Sequence, residues 1–332
     1  MNPLGKKELG RTGLQVTRLG LGCAALGGLY GDIPEEQATA VVQRALVLGL
    51  NLFDTAPLYG SGKSEQRLGR ALQGVPRDSY VLASKVGRIL VPAQGSERGQ
   101  EIYANPPPFQ PVFDFSYDGV MRSFESSLQR LGVDRIDILH IHDPDDHYEA
   151  AINGAYPALD KLRSQGVIRA VSAGMNQWEM LARFAREGRF DCFLLAGRYS
   201  LLEQEAMDEL LPLCLEKQIG IMAGGTYNSG ILAKGAQAGS KYNYADAPPQ
   251  IIEKARQLEE VAARHQVSIK AAASQFALAH PAITTIIPGT RQPSRVDENF
   301  ELLSEKIPAA FWDELKEREL IRREAPVPGE KA

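Results

Sequence analysis

The chain has 332 residues, 44% hydrophobic and 23% charged, the balance of a folded protein with a sizeable core. A net charge of −4 speaks against a polyanionic partner, because nucleic-acid binding needs a concentrated basic face. No apolar stretch approaches the roughly 20 residues that span a bilayer, and the opening MNPLGKKELGRTGLQ lacks the apolar core of a secretory signal; the cytoplasm is the expected compartment.

Short apolar runs rich in β-formers recur along the chain: VTRLGLGCA (16–24), LNLFDTA (50–56), YVLASKV (80–86), IDILHIH (136–142), IRAVSAGM (168–175), CFLLAGR (192–198), IGIMAGG (219–225) and ITTIIPGT (283–290). Stretches of helical spacing separate them, such as 35–49, 117–132 and 249–265. Gly49, Gly132 and Gly166 stand where a helix C-cap would feed the next strand. Strict alternation predicts a parallel sheet with helical crossovers, and eight repeats predict a closed (β/α)₈ TIM barrel as one domain over 1–322. Two loops break the rhythm, 87–116 after the third strand and 230–248 after the seventh. Long loops of this kind are usually functional. The first, with Ile89, Leu90, Phe109, Phe113 and Phe115, is expected to cover the substrate pocket, and the tail 323–332 is expected to be disordered. Cys23, Cys192 and Cys214 read as buried free thiols.

A barrel of this kind carries its active site at the C-terminal ends of its strands. Asp54, Lys85 and His142 close the second, third and fourth predicted strands, and Tyr59 follows in the loop after Asp54. Together these groups suit proton transfer to or from a hydroxyl or carbonyl: a lysine ammonium beside a phenol lowers its pKa, an aspartate holds the lysine, and a histidine positions the substrate oxygen. None of them moves a hydride, so a redox reading requires a nicotinamide cofactor. Singly, each has an ordinary structural reading, as a rim ion pair, a packed ring or a cap. The run His140, His142, Asp143, Asp145, Asp146, His147 has the residue types of a metal site but also those of a turn, and no metal is expected. Gly20, Gly22 and Ala25 spell a weak dinucleotide fingerprint that later glycines interrupt, and read as a turn lining the site.

The segment FDTAPLYGSGKSEQRLGRAL (53–72) resembles the signature of the aldo-keto reductase superfamily, and the likeness runs nearly the whole chain. The resemblance implies a catalytic tetrad at Asp54, Tyr59, Lys85 and His142, with NAD or NADP as cofactor. IPGTRQPSRVDENFELL (287–303) resembles the adenosine-binding stretch, which implies cofactor contacts from Gly289, Thr290, Arg291, Arg295, Glu298 and Asn299. Asn176 and the run Tyr227, Asn228, Ser229 after the seventh strand are further implied cofactor contacts. The sequence departs from the pattern at Gly174-Met175 (usually Ser-Asn), Ala196 (usually Gln) and Gly224 (usually aromatic). VSAGMNQW, CFLLAGRYSLLEQ, GGTYNSGIL and FDFSYDGVMRS are similar to the branch that contains D-threo-aldose 1-dehydrogenase, L-fucose dehydrogenase, L-galactose dehydrogenase and pyridoxal 4-dehydrogenase. That likeness implies oxidation of a sugar at its anomeric carbon to the lactone. Gly289 stands where many NADP-using relatives carry Lys, and Glu298 would accept from a free 2′-hydroxyl, so NAD is the expected cofactor, with NADP tolerated. The rival readings are an NADPH-dependent aldehyde reductase, a Schiff-base aldolase with Lys85 as the amine, and a nucleotide-sensing subunit without rapid turnover.

Overall fold

In the computed structural model, residues 1–93 and 102–330 are described. In chain order the strands are β1 (Lys6–Glu8), β2 (Gln15–Thr17), β3 (Leu21–Gly22), β4 (Leu52–Asp54), β5 (Val81–Val86), β6 (Arg88–Pro92), β7 (Phe109–Phe113), β8 (Ile138–His142), β9 (Ala170–Met175), β10 (Cys192–Ala196), β11 (Gly220–Gly224), β12 (Lys241–Tyr242), β13 (Ala245–Asp246) and β14 (Ile283–Ile286). Eight of them form one parallel sheet in the order β14-β11-β10-β9-β8-β5-β4-β3. Parallel bridges Leu19↔Ile286 and Gly22↔Gly289 join its two edges. The sheet is therefore a closed (β/α)₈ barrel.

The first predicted strand divides. Gln15–Thr17 turns back to pair antiparallel with Lys6–Glu8, and only Leu21–Gly22 enters the barrel. The hairpin plugs the bottom of the bore. Leu9, Leu14 and Val16 are buried against Leu52, Val81, Ile138, Ala170, Cys192 and Met222. A second, larger core lies between the strands and the outer helices, containing Phe53, Leu82, Leu139, Ile141, Val171, Phe193, Leu195 and Ile221. Side chains alternate along a strand. The inner and outer sets therefore interleave, and residues in step with Leu52, Ala83 and Ile138 face the bore.

The helices follow the predicted spacing: Glu35–Val47, Tyr117–Leu131 and Pro249–Arg264 among them. Ser116 caps the second by accepting from the Gly119 amide at 3.0 Å, and Gly132 ends it in the left-handed region. In the loop after β5, β6 and β7 form an antiparallel hairpin; its expected reach at 94–101 lies outside the described residues. The chain's end departs from the expected disorder as far as Glu330. Ala325 and Val327 are buried and Lys316 pairs with Glu330 at 2.7 Å. These two apolar residues among polar ones give the segment something to dock. The three cysteines are free and buried. Among the described residues no helix is long and apolar enough to cross a membrane.

Candidate active site

Counting inward-facing positions from Leu52, Ala83 and Ile138 leads to Asp54, Lys85, His140 and His142 at the upper end of the bore. Lys85 Nζ lies 2.6 and 2.7 Å from the two Asp54 oxygens and donates to the Thr55 carbonyl at 3.0 Å. Both partners are nearly inaccessible to solvent, at 1% and 3% side-chain exposure. Burial alone would raise the Asp54 carboxyl, but the Lys85 charge, then His140, outweigh it and hold the group below the ordinary carboxylate range.

Tyr59 is set by the turn after β4. The chain passes so close to its neighbours there that a Cβ on Gly27 would stand 2.6 Å from the Tyr59 backbone. Gly60 takes a φ of 62° in the same turn, which a glycine adopts without strain. Ser64 Oγ ties the turn to β3 by donating to the Cys23 carbonyl at 2.7 Å. The Tyr59 ring then stands edge-on to His142, centroids 5.8 Å apart, with Lys85 Nζ 5.0 Å from its centre. All four tetrad candidates thus share one space at the barrel mouth.

The electrostatics differ from the expected lysine-activated phenol. Burial, then the Asp54 charge, push the Tyr59 phenol well above 10. Lys85 is already paired with Asp54, so the positive charge that would stabilise a phenolate is neutralised. Burial, then Arg88 and Lys85, push His142 well below 6.5, which keeps its imidazole neutral. A neutral imidazole can donate one hydrogen bond to a substrate oxygen without carrying charge.

Residues absent from the expected set complete the wall. His140 lies one layer below His142. Its Nδ1 bonds Ser172 Oγ at 2.6 Å, and its Nε2 approaches Asp54 Oδ2 at 3.3 Å without hydrogen-bond alignment. Tyr103 stacks on Tyr59 at 6.2 Å. Its segment is stitched to the β3 loop: Tyr30 N donates to Ile102 O and Ala104 N to Gly28 O, both at 3.0 Å. Arg88 pairs with Asp143 and covers the Phe113 ring. Phe115, expected in the cover, is buried in the outer core, whereas Phe109 and Phe113 are exposed.

Polar surface suited to a nucleotide continues from this pocket across the barrel top. The inner ends of β9, β10 and β11 are Gly174, Ala196 and Gly224, a floor of small residues; a Cβ on Gly224 would meet nothing closer than 3.5 Å. Asn176 donates to the Ala196 carbonyl at 3.0 Å. Asn228 donates to the Gly197 carbonyl at 3.1 Å, yet its Oδ1 and the Thr226 hydroxyl are buried with no partner among the described residues. Such orphans call for a ligand. Ser229, at φ 57°, accepts from the Tyr244 amide. Tyr227 bonds Ser274 and donates to Asn299 Oδ1 at 3.0 Å. Gly289 lies against Gly22 across the barrel seam. Thr290 Oγ1 accepts from the Gln292 amide, and Arg291 donates to the Tyr30 carbonyl. The helix Pro293–Ser304 begins with no side-chain cap, and a helix N-terminus favours a phosphate, although Pro293 carries no amide hydrogen and the Arg295 amide already donates to the Gln292 carbonyl at 3.0 Å. Glu298 is engaged by both Arg295 and Lys270; the second of these cations was not among the expected residues. These groups fit a nicotinamide nucleotide.

Known proteins resemble this chain in sequence and fold. The model of the aldo/keto reductase family matches residues 18–319. Pyridoxal 4-dehydrogenase of Microbacterium luteolum is 39% identical over 95% of this chain and 98% of its own length. D-threo-aldose 1-dehydrogenase of a Pseudomonas species is 37% identical over 93% and 96%, and L-galactose dehydrogenase of Arabidopsis thaliana 29% over 92% and 90%. Among solved structures, the holo form of an aldo-keto reductase from Bacillus halodurans superposes with a TM-score of 0.76 at 25% identity, covering 98% of this chain and 99% of that one. With a family match across nine-tenths of its length and a barrel to correspond, the chain belongs to the aldo/keto reductase family.

Proposed function

We propose that this oxidoreductase removes a hydride from the anomeric C1 of an aldose of the L-fucose, L-galactose or D-threo type, giving the lactone, with NAD⁺ preferred over NADP⁺. The observation that carries the reading is the tetrad geometry. A neutral imidazole and a phenol meet edge-on with ring centroids 5.8 Å apart, beside an Asp54–Lys85 pair bonded at 2.6 Å. Two relatives bear names that match the chemistry.

In the proposed reaction His142 and Tyr59 bind the C1 hydroxyl oxygen. Tyr59, as phenolate, takes the hydroxyl proton while the C1–H bond breaks and the C1–O bond becomes the lactone carbonyl. The nicotinamide, when bound, accepts the hydride. Asp54 and Lys85 hold the floor rigid and exclude water from beneath the phenol. Asn176, Tyr227, Asn228 and Ser229 would hold the nicotinamide end, and Gly289, Thr290, Arg291, Arg295, Glu298 and Asn299 the adenosine end. The NAD⁺ preference rests on Gly289, which offers no cation, and on Arg295 being committed to Glu298.

Aldehyde reduction on the same tetrad is a second reading, favoured by one observation. A phenol held well above 10 is protonated at neutral pH, the form that donates to a nascent alkoxide. Pyridoxal oxidation is tested alongside, because pyridoxal also closes to a cyclic hemiacetal. The deciding experiment is steady-state turnover of an aldose panel and of pyridoxal with NAD⁺ and NADP⁺, with lactone identified as product. Turnover of pyridoxal alone, or of aldehydes with NADPH alone, would replace the aldose reading.

A further inference from the structure

Asp143 follows His142 directly and has no place in the tetrad. Its backbone sits at φ 41°, a left-handed conformation costly for most side chains and tolerated by Asp and Asn. The strand ladder nonetheless reaches it, since its amide donates to the Gly174 carbonyl at 3.0 Å. The carboxylate is thereby turned back over the mouth. One oxygen, Oδ2, lies 3.5 Å from His142 Nε2 and 3.3 Å from both terminal nitrogens of Arg88. Arg88 is itself fixed, with its guanidinium 4.5 Å above the Phe113 ring and a contact to the His142 carbonyl at 3.4 Å. The other oxygen, Oδ1, has no hydrogen bond among the described residues, and the side chain keeps 31% of its surface open. Its charge is felt by Tyr59, Tyr103 and Tyr244, which surround the same space.

A carboxylate oxygen that Arg88 keeps in place and nothing else occupies is an acceptor for a hydroxyl. On the proposed reading the reacting carbon–oxygen bond would lie between Tyr59 and His142. With Asp143 Oδ2 3.5 Å from His142 Nε2, a hydroxyl on the adjacent carbon is the substituent that would face Asp143. We propose that Asp143 selects hydroxylated substrates by accepting a hydrogen bond from the hydroxyl next to the reacting carbon, with Arg88 as its positioning residue. The proposal rests on the reading above for the site of reaction, though not for the sugar.

The test uses the full chain and a matched pair of aldehydes, 2-hydroxypropanal and propanal, reduced with NADH or NADPH. In Asp143→Ala, kcat/KM for 2-hydroxypropanal is expected to fall on the order of tenfold to a hundredfold, mostly through KM, the span for a hydrogen bond to a charged group. Propanal, which shares any effect of the lost charge on Tyr59 and His142, should lose less, so that the 2-hydroxypropanal to propanal ratio of kcat/KM falls, and cofactor affinity, read by fluorescence titration, should be unchanged. Asp143→Asn, which keeps an acceptor oxygen, should lose less. Equal losses for both aldehydes would reduce Asp143 to a structural role, and an unchanged ratio would overturn the proposal. Aldoses and their 2-deoxy counterparts form a separate arm with oxidised cofactor. If neither is oxidised by the parent chain, the aldose reading fails while the aldehyde pair still decides the role of Asp143.

Discussion

The Tyr59 ring meets the His142 imidazole edge-on, at an interplanar angle of 84°. Lys85 Nζ lies 5.0 Å from the centre of the same ring, so the phenol, the imidazole and the ammonium border one space. Tyr59→Phe keeps the ring and its packing on Tyr103 and removes only the hydroxyl. Turnover is expected to drop on the order of 10²–10⁴-fold, with cofactor affinity within twofold. Residual turnover within tenfold of the parent would take Tyr59 out of the acid–base role.

The pH profile follows from the same environment. Oxidation needs the phenolate, and burial with the Asp54 charge opposes its formation. The oxidation rate should therefore climb with pH, with no plateau below pH 9, while reduction stays flat across neutrality. His142, held well below 6.5, should add no limb between pH 6 and 7. A flat oxidation profile from pH 7 upward would show that Tyr59 is ionised more easily than its surroundings dictate.

Lys85 and Asp54 can be separated as a stability unit from their part in turnover. Lys85→Met leaves a buried carboxylate without its counter-ion, at a cost of about 3–5 kcal/mol, seen as a lower denaturation midpoint. Asp54→Asn combined with Lys85→Met removes both charges and should recover much of that loss without restoring activity. A double variant less stable than the sum of the two singles would contradict the pairing.

Glu298 is the lever for cofactor choice. It is bonded to Lys270 and Arg295, so Glu298→Gln releases two cations near the end of the molecule proposed to hold the adenosine. The ratio of kcat/KM for NADP⁺ over NAD⁺ should rise at least tenfold, because a 2′-phosphate then finds charge-assisted donors. An unchanged ratio would show that neither cation reaches the cofactor.

The barrel was legible because its eight apolar runs alternate with stretches of helical spacing with little interruption, and the period of two along IDILHIH sends His140 and His142 to one face. Asp54 and His142 end their strands and Lys85 stands one residue from the end of its own, which is why they could be read in a single line. Other features are non-local. Lys270 meets Glu298 only because two helices pack side by side, and nothing near either residue announces the partner. The division of the first strand was hidden because Val16, Leu19, Leu21 and Cys23 read as one apolar run, whether they form a plug or a stave. The direction of the Tyr59 shift was missed for a related reason: proximity to Lys85 was visible in the pattern, whereas the prior claim of Asp54 on that charge is a matter of ångströms. Burial of Ala325 and Val327 depends on a docking surface supplied by distant helices.

The seam between Leu19–Gly22 and Ile286–Gly289 joins the first stave to the last, nearly a full chain length apart in synthesis. Until β14 leaves the ribosome, the nascent sheet keeps two raw edges, and the β1–β2 plug is made long before there is a bore to stopper. Closure of the barrel thus waits on a short, late stave whose loop also lines the surface suited to the cofactor. A nucleotide seated across that seam would act as a clasp, tying the last-made part of the chain to the first.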